Sequence, residues 1–159
     1  MDEHEVFVDG VARRLTNDPL AGLAWWLRDG GVTAVKVGCE EGVCGACMVL
    51  IDGEPAPACV VPLARVPAGA RIETAAGLAD SAPGQALAAA LRAREPFQCG
   101  FCAPGMAVSC VAWMREHGSL PDDRTALAEL LTSHLCRCTG KLAIIDALLG
   151  VGVEDDEKA

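Results

Sequence analysis

Apolar and polar residues alternate with a period of two at the start of the chain. Val6 to Val8 and Val11 to Leu15, joined by Asp9-Gly10, predict a β-hairpin with a two-residue turn. A helical stretch over 19–28 follows and stops at Gly30-Gly31. Met48 to Ile51, Asp52-Gly53 and the stretch ending at Val61 predict a second hairpin, and Arg71 to Thr74 a late strand. Strand, helix and strand in that order predict a small mixed sheet with one helix packed on it.

Beyond a join near Ala76 to Pro83 the period changes to that of a helix. Four helical segments, Gln85 to Arg94, Pro104 to His117, Asp122 to Leu135 and Lys141 to Leu149, are separated by Gly or Pro and predict a compact helical bundle. Leu127, Leu130, Leu131, His134 and Leu135 follow the i, i+3, i+4, i+7, i+8 stripe of a helix with one buried face. Trp25 and Trp26 are neighbours on a helix and cannot both enter one narrow core, so one is expected at the surface. The expected organisation is α+β in two parts, residues 1–76 and 77–150, with an acidic tail over 151–159, charged from Glu154 to Lys158 and expected to be disordered.

Charge narrows the function classes. Thirteen basic against 22 acidic residues leave a net charge of −9, which excludes the clustered Lys and Arg that nucleic acid or an anionic membrane recruits. No apolar run reaches the roughly 18 residues of a membrane span, and the N-terminus from Met1 to Glu5 is acidic where a secretory signal is basic. The cytoplasm is the simplest location, and in a reducing compartment nine cysteines point to metal or redox chemistry rather than disulfides. A mean hydropathy of +0.30 suggests apolar surface hidden by other subunits, an inference that the high alanine content weakens.

Cys39, Cys44, Cys47 and Cys59 carry the strongest signal. Their C-x4-C-x2-C spacing, with a fourth Cys beyond a hairpin, is the plant-type [2Fe-2S] ligand pattern. Gly38, Gly42 and Gly45 interleave with the first three, so that positive φ can turn backbone N–H groups toward cluster sulfurs. Such help is needed: two ferric ions, two sulfides and four thiolates leave a formal charge of −2, and no basic side chain lies within the loop. The alternative is structural zinc, whose ligands usually come as two C-x2-C knuckles.

A second quartet, Cys99, Cys102, Cys136 and Cys138, places a C-x2-C before one predicted helix and a C-x-C after another. Pro104 suits the first turn of its helix, and the positive helix N-terminus favours thiolates; Cys138-Thr139-Gly140 leads into the last helix in the same way. Alone, this quartet fits zinc as well as iron–sulfur. Cys110 shares a helical face with Met106, Trp113 and Met114 and reads as a core thiol, and the apolar stripe gives His134 a core or helix-end role rather than iron ligation.

The run from Gly38 to Cys47, the run from Gln98 to Met106 and the segment from Cys136 to Gly140 together resemble the small iron–sulfur subunit of the xanthine dehydrogenase and aldehyde oxidase family, over nearly the whole chain. The resemblance implies a β-grasp, plant-type ferredoxin-like N-terminal domain and a C-terminal four-helix-bundle domain, each with one [2Fe-2S] cluster. It implies a large partner subunit bearing a molybdopterin-type molybdenum cofactor, a medium partner bearing FAD, and a hetero-oligomer such as a dimer of heterotrimers. Electrons would pass from molybdenum through both clusters toward FAD. Gln98 and Cys138 match positions that approach the pterin. Because substrate is transformed on the large subunit, no catalytic residue is expected on this chain. With the chain ending at Ala159, the flavin and molybdenum domains are expected on separate polypeptides. Two positions depart from the family pattern: Lys141 stands where an aromatic residue is usual, and His134 where Asn is common. Lys141 would give its helix terminus a countercharge.

Overall fold

The computed structural model describes residues 4–15 and 18–153. Strands β1 (Glu5–Val8) and β2 (Val11–Arg14) form the first hairpin, and β3 (Met48–Ile51) and β4 (Glu54–Pro57) the second. Both turns take positive φ at both central residues, Asp9 at 48° with Gly10 at 80° and Asp52 at 52° with Gly53 at 92°, the geometry whose twist matches that of paired strands. Strand β5 (Arg71–Glu73) lies between the hairpins, parallel to β1 and antiparallel to β3, in the order β2-β1-β5-β3-β4. Helix α1 (Leu23–Asp29) buries Leu23, Ala24 and Leu27 in one core with Val6, Val8, Val49 and Ile72.

α1 is shorter than the predicted stretch 19–28, because residues 19–22 are spent on pairing. Leu23 N donates to Val61 O, Leu63 N to Ala21 O and Ala64 N to Pro19 O, so this segment runs alongside the chain after β4. The second hairpin's return strand likewise ends at Pro57 rather than Val61, giving way to a 3-10 turn over Ala58–Val60 that carries Cys59. Trp25 is 44% exposed while Trp26 packs against the core, as their adjacency requires.

The second half comprises α3 (Ala82–Arg94), α4 (Ala103–His117), α5 (Arg124–Leu130) and α6 (Leu142–Leu148). α3 starts three residues before the predicted Gln85 because Ser81 Oγ caps Gly84 N at 3.2 Å. α5 occupies only part of the predicted 122–135: Asp123 caps its start, and after Leu131 the chain turns toward the first half. Leu127, Leu131 and His134 are buried as the stripe predicts, whereas Leu135 lies beyond the helix and is 60% exposed. A short helix, α2 (Ala75–Leu78), occupies the join and is not predicted by the sequence pattern. Its cap, the fully buried Thr74, is gripped by the first turn: Thr74 N and Oγ1 donate to Asp9 Oδ1 and Oδ2 at 2.7 and 2.8 Å.

The two halves share one seam. Val49 of β3 faces the first core, while Met48 and Leu50 on the opposite face belong to the second core with Met106, Cys110 and Met114 of α4. Both faces of β3 are thus buried, which explains its unbroken apolar sequence. Arg115 of α4 forks onto Glu73 of β5 through two 2.8 Å bonds across the same seam.

The expected disordered tail is corrected for residues 151–153. Leu120 N donates to Val151 O and Val153 N to Gly118 O; the rest of the tail, 154–159, lies outside the described residues. Among the described residues no helix is long and apolar enough to cross a membrane.

Candidate metal centres

The loop from Gly38 to Cys47 leaves α1's side of the sheet and delivers its third cysteine to the start of β3. Gly42 and Gly45 take positive φ, 75° and 69°, and so does Glu40 at 60°. Gly38 does not, contrary to the expectation for all three glycines. Its constraint is space: a Cβ there would lie 3.2 Å from Cys44 Sγ and 3.4 Å from the Phe101 ring. The turns aim amides at sulfur, with Glu41 N donating to Cys39 Sγ and Cys59 N to Cys47 Sγ, each at 3.4 Å.

These contacts set the thiol acidities. The Glu41 amide, against burial and with further bonds from Cys44 and Val43, draws Cys39 down to about 6. Burial pushes Cys47 up to about 12, against the bond from the Cys59 amide. Cys39 interacts with Cys44, and Cys47 with Cys59, so the quartet gathers as two adjoining pairs.

The second quartet repeats the arrangement. Cys102 stands at the N-terminal boundary of α4, whose first turn holds Pro104, and Cys136 and Cys138 occupy the turn before α6. Cys138 Sγ lies 3.4 Å from Cys99 Sγ, and Cys102 pairs with Cys136. Cys136 Sγ receives Thr139 N at 3.4 Å and meets Thr139 Oγ1 at 3.1 Å; burial pushes its thiol up, but these bonds together with those from Cys102 and Cys138 outweigh it and bring it to about 7. The Phe101 amide lowers Cys99, the bond to Cys99 raises Cys138, and burial pushes Cys102 up to about 12. Cys99, Cys138 and Gln98 are exposed, and Phe101, Leu135 and Leu142 are 46, 60 and 62% exposed.

The donor set fits a binuclear cluster better than one ion. Each quartet supplies two pairs of sulfurs, Cys39 with Cys44 and Cys47 with Cys59 in the first, Cys99 with Cys138 and Cys102 with Cys136 in the second, a disposition that suits two bridged irons. Amides pointed at sulfur favour the thiolate form and offset the charge of an anionic cluster. Cys110 stands apart from both quartets, fully buried in the second core and pushed up to about 12 by that burial.

The two loops touch. Leu135 N donates to Cys44 O at 3.0 Å, joining a member of the first quartet to the neighbour of Cys136. A Cβ on Gly105 of α4 would lie 2.0 Å from Gly45 O, and one on Gly45 would lie 2.5 Å from Ser133 O. His134 is 1% exposed between them, and burial, aided by the charge of Lys141, holds its imidazole down to about 4. Lys141 Nζ bonds Leu131 O at 3.1 Å, so its charge serves the end of α5 rather than the start of its own helix. None of these contacts is signalled by the cysteine spacings; only the glycines beside the ligands hint at the close approach.

Two family models match the chain, a 2Fe-2S iron–sulfur cluster binding domain over residues 6–79 and a [2Fe-2S] binding domain over residues 74–149. The nicotine 6-hydroxylase small subunit of Paenarthrobacter nicotinovorans is 37% identical over 148 residues, which cover 92% of this chain and 87% of that one. The aldehyde oxidoreductase of Megalodesulfovibrio gigas is 36% identical over 94% of this chain, which spans only 16% of that longer protein. In the crystal structure of quinoline 2-oxidoreductase from Pseudomonas putida 86, a chain superposes with a TM-score of 0.82 at 36% identity, covering 93% of this chain and 90% of that one.

Proposed function

Because the chain belongs to the family of small iron–sulfur subunits of molybdenum hydroxylases, with two 2Fe-2S binding domains, we propose that it serves as a two-cluster electron relay within such an oxidoreductase. When bound, the clusters supply one-electron chemistry between a molybdopterin centre on a large partner and FAD or another acceptor. In this reading Cys39, Cys44, Cys47 and Cys59 hold the first cluster and Cys99, Cys102, Cys136 and Cys138 the second, with the division between domains near residue 76.

What carries the reading is the contrast between the quartets and their surroundings. Two sulfurs of the second quartet, Cys99 and Cys138, stand exposed with Gln98, and the exposed apolar Phe101, Leu135 and Leu142 lie within a few residues of the quartet in sequence, surface that a partner would cover. Gln98 and Cys138 are there to meet the pterin. The first quartet lies across the seam, rimmed by Val43 and Val60, at 56 and 48% exposure, which suit a second, flavin-bearing partner. Our reading is a hetero-oligomer in which this chain binds and spaces the clusters and transforms no substrate.

Native purification tests it. Recovery with a larger, molybdenum-containing polypeptide is expected, and loss of that polypeptide when Phe101 and Leu142 are both changed to Glu. Isolation of the chain alone under gentle conditions would count against the relay.

A further inference from the structure

We infer that the pair His134 and Ser109 is a positioning strut that sets the first ligand loop against the second ligand segment. This rests on the two-cluster reading and adds to it a role for residues that bind no iron. The His134 ring touches two elements, and its own backbone leads into a second-quartet cysteine. Its Nε2 lies 2.8 Å from Ser109 Oγ, on α4, one of the few buried polar side chains. Its Nδ1 faces Gly45, between Cys44 and Cys47, so closely that a Cβ on Gly45 would stand 2.3 Å away. Its own chain continues through Leu135, whose amide holds Cys44 O, into Cys136.

Nδ1 is fully buried, and its polar neighbour is the Gly45 backbone pressed against it, at a geometry short of a normal hydrogen bond. An under-satisfied buried polar atom costs free energy that an apolar side chain would avoid at a site that needed only filling. The ring is held on one side by Ser109 and presses a flat polar edge against the Gly45 peptide. Gly45 in turn can approach only because it lacks a side chain and takes φ 69°. Moving the ring therefore moves the peptide between two ligands of the first quartet, and with it the amides that face its sulfurs.

The test is an EPR-monitored redox titration of the natively purified protein and its variants, with iron counted per chain. His134→Ala is expected to keep both clusters and to change the ratio of reduced to oxidised first cluster about tenfold at a fixed potential, or about 59 mV for one electron. The second cluster should move less. Asn places its amide nitrogen near the position of Nδ1, facing Gly45, but gives up the Ser109 contact, and Gln places its own near Nε2, so His134→Asn should restore part of the potential and His134→Gln less of it. Unchanged potentials in His134→Ala, with only thermal stability lowered, would overturn the strut. If His134→Ala does not fold, equal potentials in the Asn and Gln variants would overturn it. Absence of two clusters from the unsubstituted protein would instead overturn the relay reading.

Discussion

Leu135 N donates to Cys44 O across the boundary between the two halves, at 3.0 Å. One hydrogen bond thus separates the backbone of a first-quartet cysteine from the residue preceding a second-quartet cysteine. The halves are not two beads on a string: Gly45, Gly105 and Ser133 meet backbone to backbone around this bond.

Gly105→Ala tests that approach. At an ordinary site inside a helix such a change stabilises by about 1 kcal/mol, but here the added Cβ would stand 2.0 Å from Gly45 O. The variant should instead lose about 1–3 kcal/mol, measured by thermal unfolding of the loaded protein. A gain in stability would show that α4 does not rest on the loop.

Gly45→Ala should be worse. It forces an L-residue to φ 69° and drives a methyl onto His134 Nδ1 and Ser133 O. Left-handed backbone alone costs about 1–2 kcal/mol. The purified variant should lose iron from the first cluster ahead of the second, as the EPR amplitudes would report.

The cysteines sort by role. Changing any of the eight quartet cysteines to Ser should remove or destabilise one cluster and lower the iron count by up to about two per chain. Cys110→Ala should keep all iron and cost about 1–2 kcal/mol from the small cavity it leaves in the second core. Iron loss in Cys110→Ala without unfolding would contradict its assignment as a core thiol.

The Glu73–Arg115 fork gives a pH signature. The paired hydrogen bonds from Arg115 hold Glu73 below its ordinary value of 4.5, so its stabilisation is fully present above that value and is lost as pH falls through the folded value. Both side chains are partly exposed, at 30 and 39%, so solvent screening limits the pair to under about 1 kcal/mol. Glu73→Gln should lower the unfolding temperature at about pH 7, and its gap to the unsubstituted protein should close as pH falls below 4.5 and through the lower folded value. A constant gap across that range would remove the ion pair from the account.

Much of this architecture is legible in the sequence. Asp9-Gly10 and Asp52-Gly53 announce both hairpins, and the sequence points to Gly42 and Gly45 as turning residues of the first cysteine loop, though not correctly to Gly38. What escapes is set by contacts distant in sequence. Leu20 and Ala21 extend the apolar pattern of the helix, but residues 19–22 pair with the chain after β4; α2 exists because Asp9, far away in sequence, grips Thr74; α5 stops early because Leu135 is claimed by Cys44. His134 follows an apolar stripe and reads as core, which it is, yet the pattern carries no sign of the cysteine loop against its other edge.

EPR of the dithionite-reduced, natively purified protein, with iron and acid-labile sulfide counted per chain, tests the central claim most directly. The relay predicts two distinguishable [2Fe-2S] signals and about four irons per chain; an EPR-silent protein containing zinc would contradict it.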